Sequence, residues 1–157
     1  FVLYGPGADS GTFDGFTDKI NGEEGASRTD YTPSEDDNVL VQGVSSDPNA
    51  LGYFGYSYYE ENQDQLKAIA IDNGEGAVVP SVETVRDGSY APLARPIFIY
   101  VNAAAAEKPE VSEFVNFYLT NAETLVPEVG SVPLTAEEYQ EGIARFESGE
   151  TGTTAAK

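Results

Sequence analysis

Short apolar runs alternate along the chain with stretches in which apolar residues return at every third or fourth position. That pattern predicts strands interleaved with helices and an α/β architecture. Residues 1–4, Phe-Val-Leu-Tyr, read as a buried strand that Gly5-Pro6-Gly7 ends. Behind Asp9-Ser10-Gly11-Thr12, the residues Phe13, Phe16 and Ile20 sit at helical spacing, and the loop at 21–25 closes that helix. A second helix is expected from Ser34, with Pro33 ahead of it and Asp37 three residues on, where an acid suits the helix dipole. Val39, Leu40, Gly43 and Val44 share one of its faces. Pro48-Asn49 predicts a turn, residues 51–56 a buried strand, and residues 67–71 a short strand after a polar helical stretch.

The texture changes near Pro92. Pro92 and Pro96 give a stiff, extended approach to residues 97–101, Ile-Phe-Ile-Tyr-Val, which predict an uninterrupted apolar strand. The clearest helix begins near Pro109, with Val111, Phe114, Val115, Tyr118, Leu119, Ala122 and Leu125 forming a broad apolar stripe. A last helix follows Thr135, which forms a capping box with Glu138 and turns Tyr139, Ile143 and Phe146 inward. Residues 148–157, rich in Gly, Thr and Ala, predict a frayed tail. No internal repeat is visible.

Composition narrows the chemistry. The 157 residues contain no Cys, His or Met. Without Cys and His there are no disulfides, no thiol or imidazole nucleophiles, no Ser-His triad and no ordinary zinc site. The absence of Met at position 1 and the opening on a buried strand predict a fragment, or a form trimmed inside a longer parent. No apolar run reaches the roughly 18 residues of a membrane span, which predicts a soluble chain. Against 27 acidic residues stand 8 basic ones, a formal net charge of −19. Such a field repels nucleic acid and anionic membranes, so neither is an expected partner. The cluster Glu35-Asp36-Asp37-Asn38 lacks the spaced ligands and turn glycine of an EF-hand. No metal or cofactor is expected.

One segment stands out for chemistry. Ser10, Gly11 and Thr12 lie between a strand and a helix, where unpaired N–H groups and the positive end of the dipole favour an anion. Gly11 allows close backbone approach, and the two hydroxyls can donate. The same residues also serve as an ordinary helix cap, and locally both readings stand. The loop is not a Walker motif, for the Gly-Lys-Ser/Thr ending is missing. Arg28, in Ser27-Arg28-Thr29-Asp30-Tyr31, is one of few arginines. It offers a planar fork for a tetrahedral oxyanion, or a salt bridge to a nearby acid.

In order and spacing, Gly-Pro-Gly-Ala-Asp-Ser-Gly-Thr-Phe-Asp, Ser-Arg-Thr-Asp-Tyr, Ser-Glu-Asp-Asp-Asn-Val-Leu-Val-Gln-Gly-Val, Leu-Gly-Tyr-Phe-Gly-Tyr and Pro-Leu-Ala-Arg-Pro-Ile-Phe-Ile-Tyr-Val resemble the PstS phosphate-binding protein family, on its SphX-like branch. The likeness spans residues 1 to about 147 and corresponds to the C-terminal half of such proteins. It implies a type II periplasmic binding protein fold, two-lobed like a Venus flytrap, that clamps inorganic phosphate and delivers it to ABC transporter permease subunits. It implies phosphate binding by Ser10, Gly11 and Thr12. Many family members carry an Arg shortly before Ser-Gly-Thr; here Gly5-Pro6-Gly7 stands there, and Arg28 is expected to supply the charge. The family's remaining donors and its acidic acceptor would lie in the missing N-terminal half, so the chain alone is expected to bind weakly.

The implied organisation places 1–91 in the second lobe, a hinge crossing at 92–96, and a return to the first lobe over 97–157. Without the N-terminal half, the Phe114 and Tyr118 stripe is expected to be exposed, swapped, or packed on another copy as a homo-oligomer. A periplasmic or extracellular location follows, with a membrane anchor in the full-length parent as one option. The competing readings are a receptor for another oxyanion (sulfate, molybdate or phosphonate), an enzyme acting on phosphate esters, and an acidic surface module with no ligand.

Overall fold

The computed structural model describes residues 1–152. The chain forms two compact units, Phe1–Ala94 and Arg95–Lys157.

In the first unit, β1 (Val2–Gly5) is the centre of a parallel three-stranded sheet ordered β2-β1-β3, with β2 at Thr32–Pro33 and β3 at Ala50–Gly52. Tyr4 pairs with Thr32 on one side, and Val2, Leu3 and Tyr4 pair with Ala50, Leu51 and Gly52 on the other. Parallel neighbours need crossovers, and two helices supply them: α1 (Gly11–Asn21) links β1 to β2, and α2 (Asp37–Ser46) links β2 to β3. Leu40 of α2 is fully buried, and Val41 nearly so. Burial of one such leucine stabilises the fold by about 1.5–3 kcal/mol. Close packing of α2 on the sheet depends on small residues: a Cβ on Gly43 would run into the Tyr4 ring, and one on Gly52 would lie 2.7 Å from Val44 Cγ2. Thr17 of α1, 1% exposed, donates to the Phe13 carbonyl at 2.8 Å and accepts from Gly25 N–H at 2.8 Å, which ties down the loop after α1.

Three expectations for this unit need correction. The second helix is capped by Asp36, whose carboxylate accepts from Asn38 N–H at 3.0 Å, while Ser34 is held by the sheet loop. The strand expected over 51–56 ends at Gly52, opposite Tyr4, and Tyr56–Glu60 turns helical as α3. Over 67–71 only Ile71 is in a strand: β4 (Ile71–Asp72) pairs antiparallel with β5 (Ala77–Val78). The short helix α4 (Val82–Arg86), capped by a Ser81–Thr84 box, was not anticipated.

The second unit is helical: α5 (Ala103–Ala106), α6 (Pro109–Glu128) and α7 (Ala136–Ser148). Pro109 opens α6 at a position where its missing N–H costs nothing. The Thr135–Glu138 capping box opens α7, with reciprocal bonds of 3.2 and 2.8 Å. Val115, Ala122 and Tyr139 form its buried core. Residues 97–101, expected as a strand, pair in no ladder, and Ile97 and Tyr100 are 79% and 77% exposed. A strand exists only through a partner, and this unit's other described elements are helices. Ser148 still belongs to α7, and Arg145 donates to the Gly152 carbonyl at 3.0 Å; residues 153–157 lie outside the described part.

Candidate functional site: the start of α1

In the order β2-β1-β3, the first crossover leaves the central strand β1 for β2, and the second runs back past β1 to β3. In open α/β sheets, the crevice beyond the carboxyl end of such a strand is where ligands sit. Just beyond that end of β1 the chain makes the turn of residues 5–10 and enters α1.

Ser10 is the N-cap, in extended conformation, and its Oγ accepts from Thr12 N–H at 3.2 Å. A hydroxyl that accepts one bond still has its own hydrogen to give, so Ser10 can cap the helix and face a ligand together. Its backbone N–H donates to the Gly7 carbonyl at 3.2 Å, which closes the turn. Gly11 is exposed, Ser10 and Thr12 are half-buried, and the Thr12 hydroxyl has no hydrogen-bond partner among the described residues. The cap and the accessible donors therefore coexist in one place.

The turn is fixed by its neighbours. Ser34 N–H donates to the Gly5 carbonyl at 3.1 Å and Tyr31 Oη donates to the Pro6 carbonyl at 3.0 Å. Gly5, Pro6 and Gly7 are buried. A Cβ at Gly5 would come 2.7 Å from Tyr53 Cε1, and one at Gly7 would collide with the Glu35 carboxylate. Gly5 is thus required by close approach of the Tyr53 ring, whereas at Gly7 the exposed Glu35 side chain would have to swing aside.

Arg28 lies on the loop between α1 and β2, well exposed, and forks onto Asp30: Nε to Oδ1 at 2.8 Å and Nη2 to Oδ2 at 2.6 Å. That bidentate bond holds the Asp30 carboxyl below its ordinary range. None of its described contacts reaches residues 10–12, so the structure brings Ser10, Gly11 and Thr12 together and leaves Arg28 engaged with its own loop. Sequence reading named the acids at 35–37 but not the packing of Glu35 against Gly7. Burial, and then the charges of Asp36 and Glu35, push the Asp37 carboxyl up against an opposing hydrogen bond from the Gly55 backbone. Of these acids, Glu35 lies against the turn itself, its carboxylate next to Gly7. No group of three or more potential metal ligands occurs among the described residues. No helix among them is long and apolar enough to cross a membrane.

A mixed α/β unit with a donor-lined turn at its switch point is the build of a solute-binding domain, and the chain belongs to the PBP superfamily, whose domain matches residues 1–122. Within it, the protein SphX of Synechococcus elongatus is 56% identical over 152 residues, covering 96% of this chain and 45% of that protein. The phosphate-binding protein PstS of Staphylococcus aureus (strain USA300) is 35% identical over 137 residues, covering 86% and 41%. The crystal structure of a possible phosphate binding protein from Planctomyces limnophilus superposes with a TM-score of 0.77 at 39% identity, covering 96% of this chain and 54% of that one. The chain spans about half the length of these relatives. The family resemblance and the binding-protein fold read from the motifs are borne out.

Proposed function

We propose that the protein binds inorganic phosphate as the substrate-binding component of an ABC phosphate importer, in the periplasm or outside the cell, and catalyses no reaction. The observation that carries this reading is the half-buried Thr12 hydroxyl, without a hydrogen-bond partner among the described residues, beside the Ser10 cap at the carboxyl end of the central strand. Ser10, Gly11 and Thr12 hold the anion, and Arg28 joins it through the N–H groups that Asp30 leaves unused. The names of the PstS relative, a phosphate-binding protein, and of the possible phosphate binding protein from Planctomyces limnophilus support phosphate as the ligand.

On this reading the remaining donors belong to polypeptide beyond this chain, and that same polypeptide covers the apolar face of the second unit. There Ile99, Tyr100 and Val101 line a shallow groove with Val111, Phe114 and Tyr118. Phosphate bridging two lobes shifts an open-closed equilibrium toward the form that docks on the permease subunits. Calorimetry on the full-length protein tests the proposal: phosphate binds, and sulfate at equal concentration does not. Heat with sulfate, molybdate or phosphonate alone would assign the site to another oxyanion.

A further inference from the structure

The Tyr53 hydroxyl is buried and has no hydrogen-bond partner among the described residues. Leaving such a group unpaired costs stability, so the packing of the ring, not the hydroxyl, is what holds this side chain in place. The ring lies flat on Phe16 of α1, with centroids 3.8 Å apart and planes 11° from parallel. Against the end of β1, a Cβ on Gly5 would come 2.7 Å from its Cε1 and 3.1 Å from its Cζ. Its backbone N–H donates to the Tyr4 carbonyl at 3.4 Å. One residue therefore touches both elements whose junction is the turn leading to Ser10.

We propose that Tyr53 is a positioning residue for the anion site. Its ring, wedged between Gly5 and Phe16, sets the spacing between the end of β1 and the body of α1, and so fixes where residues 10–12 present their donors. Hydrogen bonds to a small anion weaken steeply with distance and angle, and a stacked ring is a stiffer spacer than an aliphatic side chain. Gly5 is the other half of the device, because only a residue without Cβ admits the ring. This inference rests on the phosphate reading above.

The test compares the full-length protein with Tyr53→Phe, Tyr53→Leu and Gly5→Ala, by phosphate calorimetry and by melting in phosphate-free buffer. Tyr53→Phe keeps the stack and removes the orphan hydroxyl; it binds within about twofold of the parent and melts ~2–4 °C higher. Tyr53→Leu, measured well below its melting point, loses about tenfold or more in affinity. Should it fail to fold, Gly5→Ala carries the test, because it displaces the ring without deleting it. A folded Tyr53→Leu or Gly5→Ala protein that melts lower yet binds phosphate as tightly as the parent overturns the proposal, for that is the result of a purely structural role. A loss in Tyr53→Phe equal to that in Tyr53→Leu also overturns it, since the hydroxyl and not the spacer would then matter. A parent that takes up no phosphate defeats the functional reading itself, and this is seen before any variant is compared.

Discussion

Residues 1–4 and 97–101 are both short apolar runs rich in β-prone side chains, yet only the first becomes a strand. Val2–Gly5 is flanked by β2 and β3 and forms the middle of a sheet. Residues 97–101 have only helices around them in their unit, and remain unpaired with Ile97, Phe98, Ile99 and Tyr100 all exposed. The same holds for the helices: α2 buries Leu40 and Val41, while α6 leaves Phe114 66% and Phe117 59% exposed. Apolar pattern states what a segment needs, and the partner decides whether the need is met. Here an apolar run and an apolar helix stripe stay uncovered, in a chain that spans about half the length of its relatives.

The largest effect that sharpens this contrast is on stability. Leu40→Ala should destabilise the chain by about 2–5 kcal/mol in a denaturant titration. Phe114→Ser, on the uncovered face, should change it by about 0.5 kcal/mol or less. In the full-length protein the Phe114 substitution should become clearly destabilising; an equally small effect there would mean that nothing covers the stripe.

Next in size is the site. Thr12→Ala in the full-length protein should weaken phosphate binding by about 1.5–3 kcal/mol by calorimetry, the range for a hydrogen bond to a charged group, with little change in melting. Arg28→Ala should weaken binding as well. Unchanged affinity for Arg28→Ala would remove that residue from the site and leave it as the partner of Asp30.

The smallest effect concerns two acids, Asp37 and Asp30, and its two members have opposite signs. Asp37 is raised, chiefly by burial, so the folded chain holds that proton more tightly than the unfolded chain does. Its contribution to stability therefore grows as pH falls through the folded value toward the unfolded one. Asp30 is lowered by the Arg28 hydrogen bond, so its contribution is present above the unfolded value and is lost as pH falls through the folded one. Melting curves from neutral to acid pH should show the deficit of the parent relative to Asp37→Asn closing on acidification. For Asp30→Asn, an advantage of the parent should shrink over the same descent. A parent deficit that widens in acid would contradict the placement of Asp37.

Local signals were legible in both units: Ser10 caps α1 where expected, and the Thr135–Glu138 box opens α7. Signals that depend on a neighbour were read less well. Ser34 looked like a cap, but its N–H is taken by Gly5, and Asp36 caps α2 instead. The apolar run at 51–56 leaves the sheet after Gly52 and bends into α3 after Gly55. At the site, residues 10–12 could be picked out from composition and position. The wedge of Tyr53 against Gly5 and the seat of Glu35 over Gly7 could not, because they join residues far apart in sequence.

Backbone amide spectra of the isotopically labelled full-length protein, recorded while phosphate is added, test the central claim most directly. The account predicts that Ser10, Gly11 and Thr12 are among the amides that shift most, saturating with phosphate and not with sulfate. Saturable binding that leaves those three amides unmoved would contradict it.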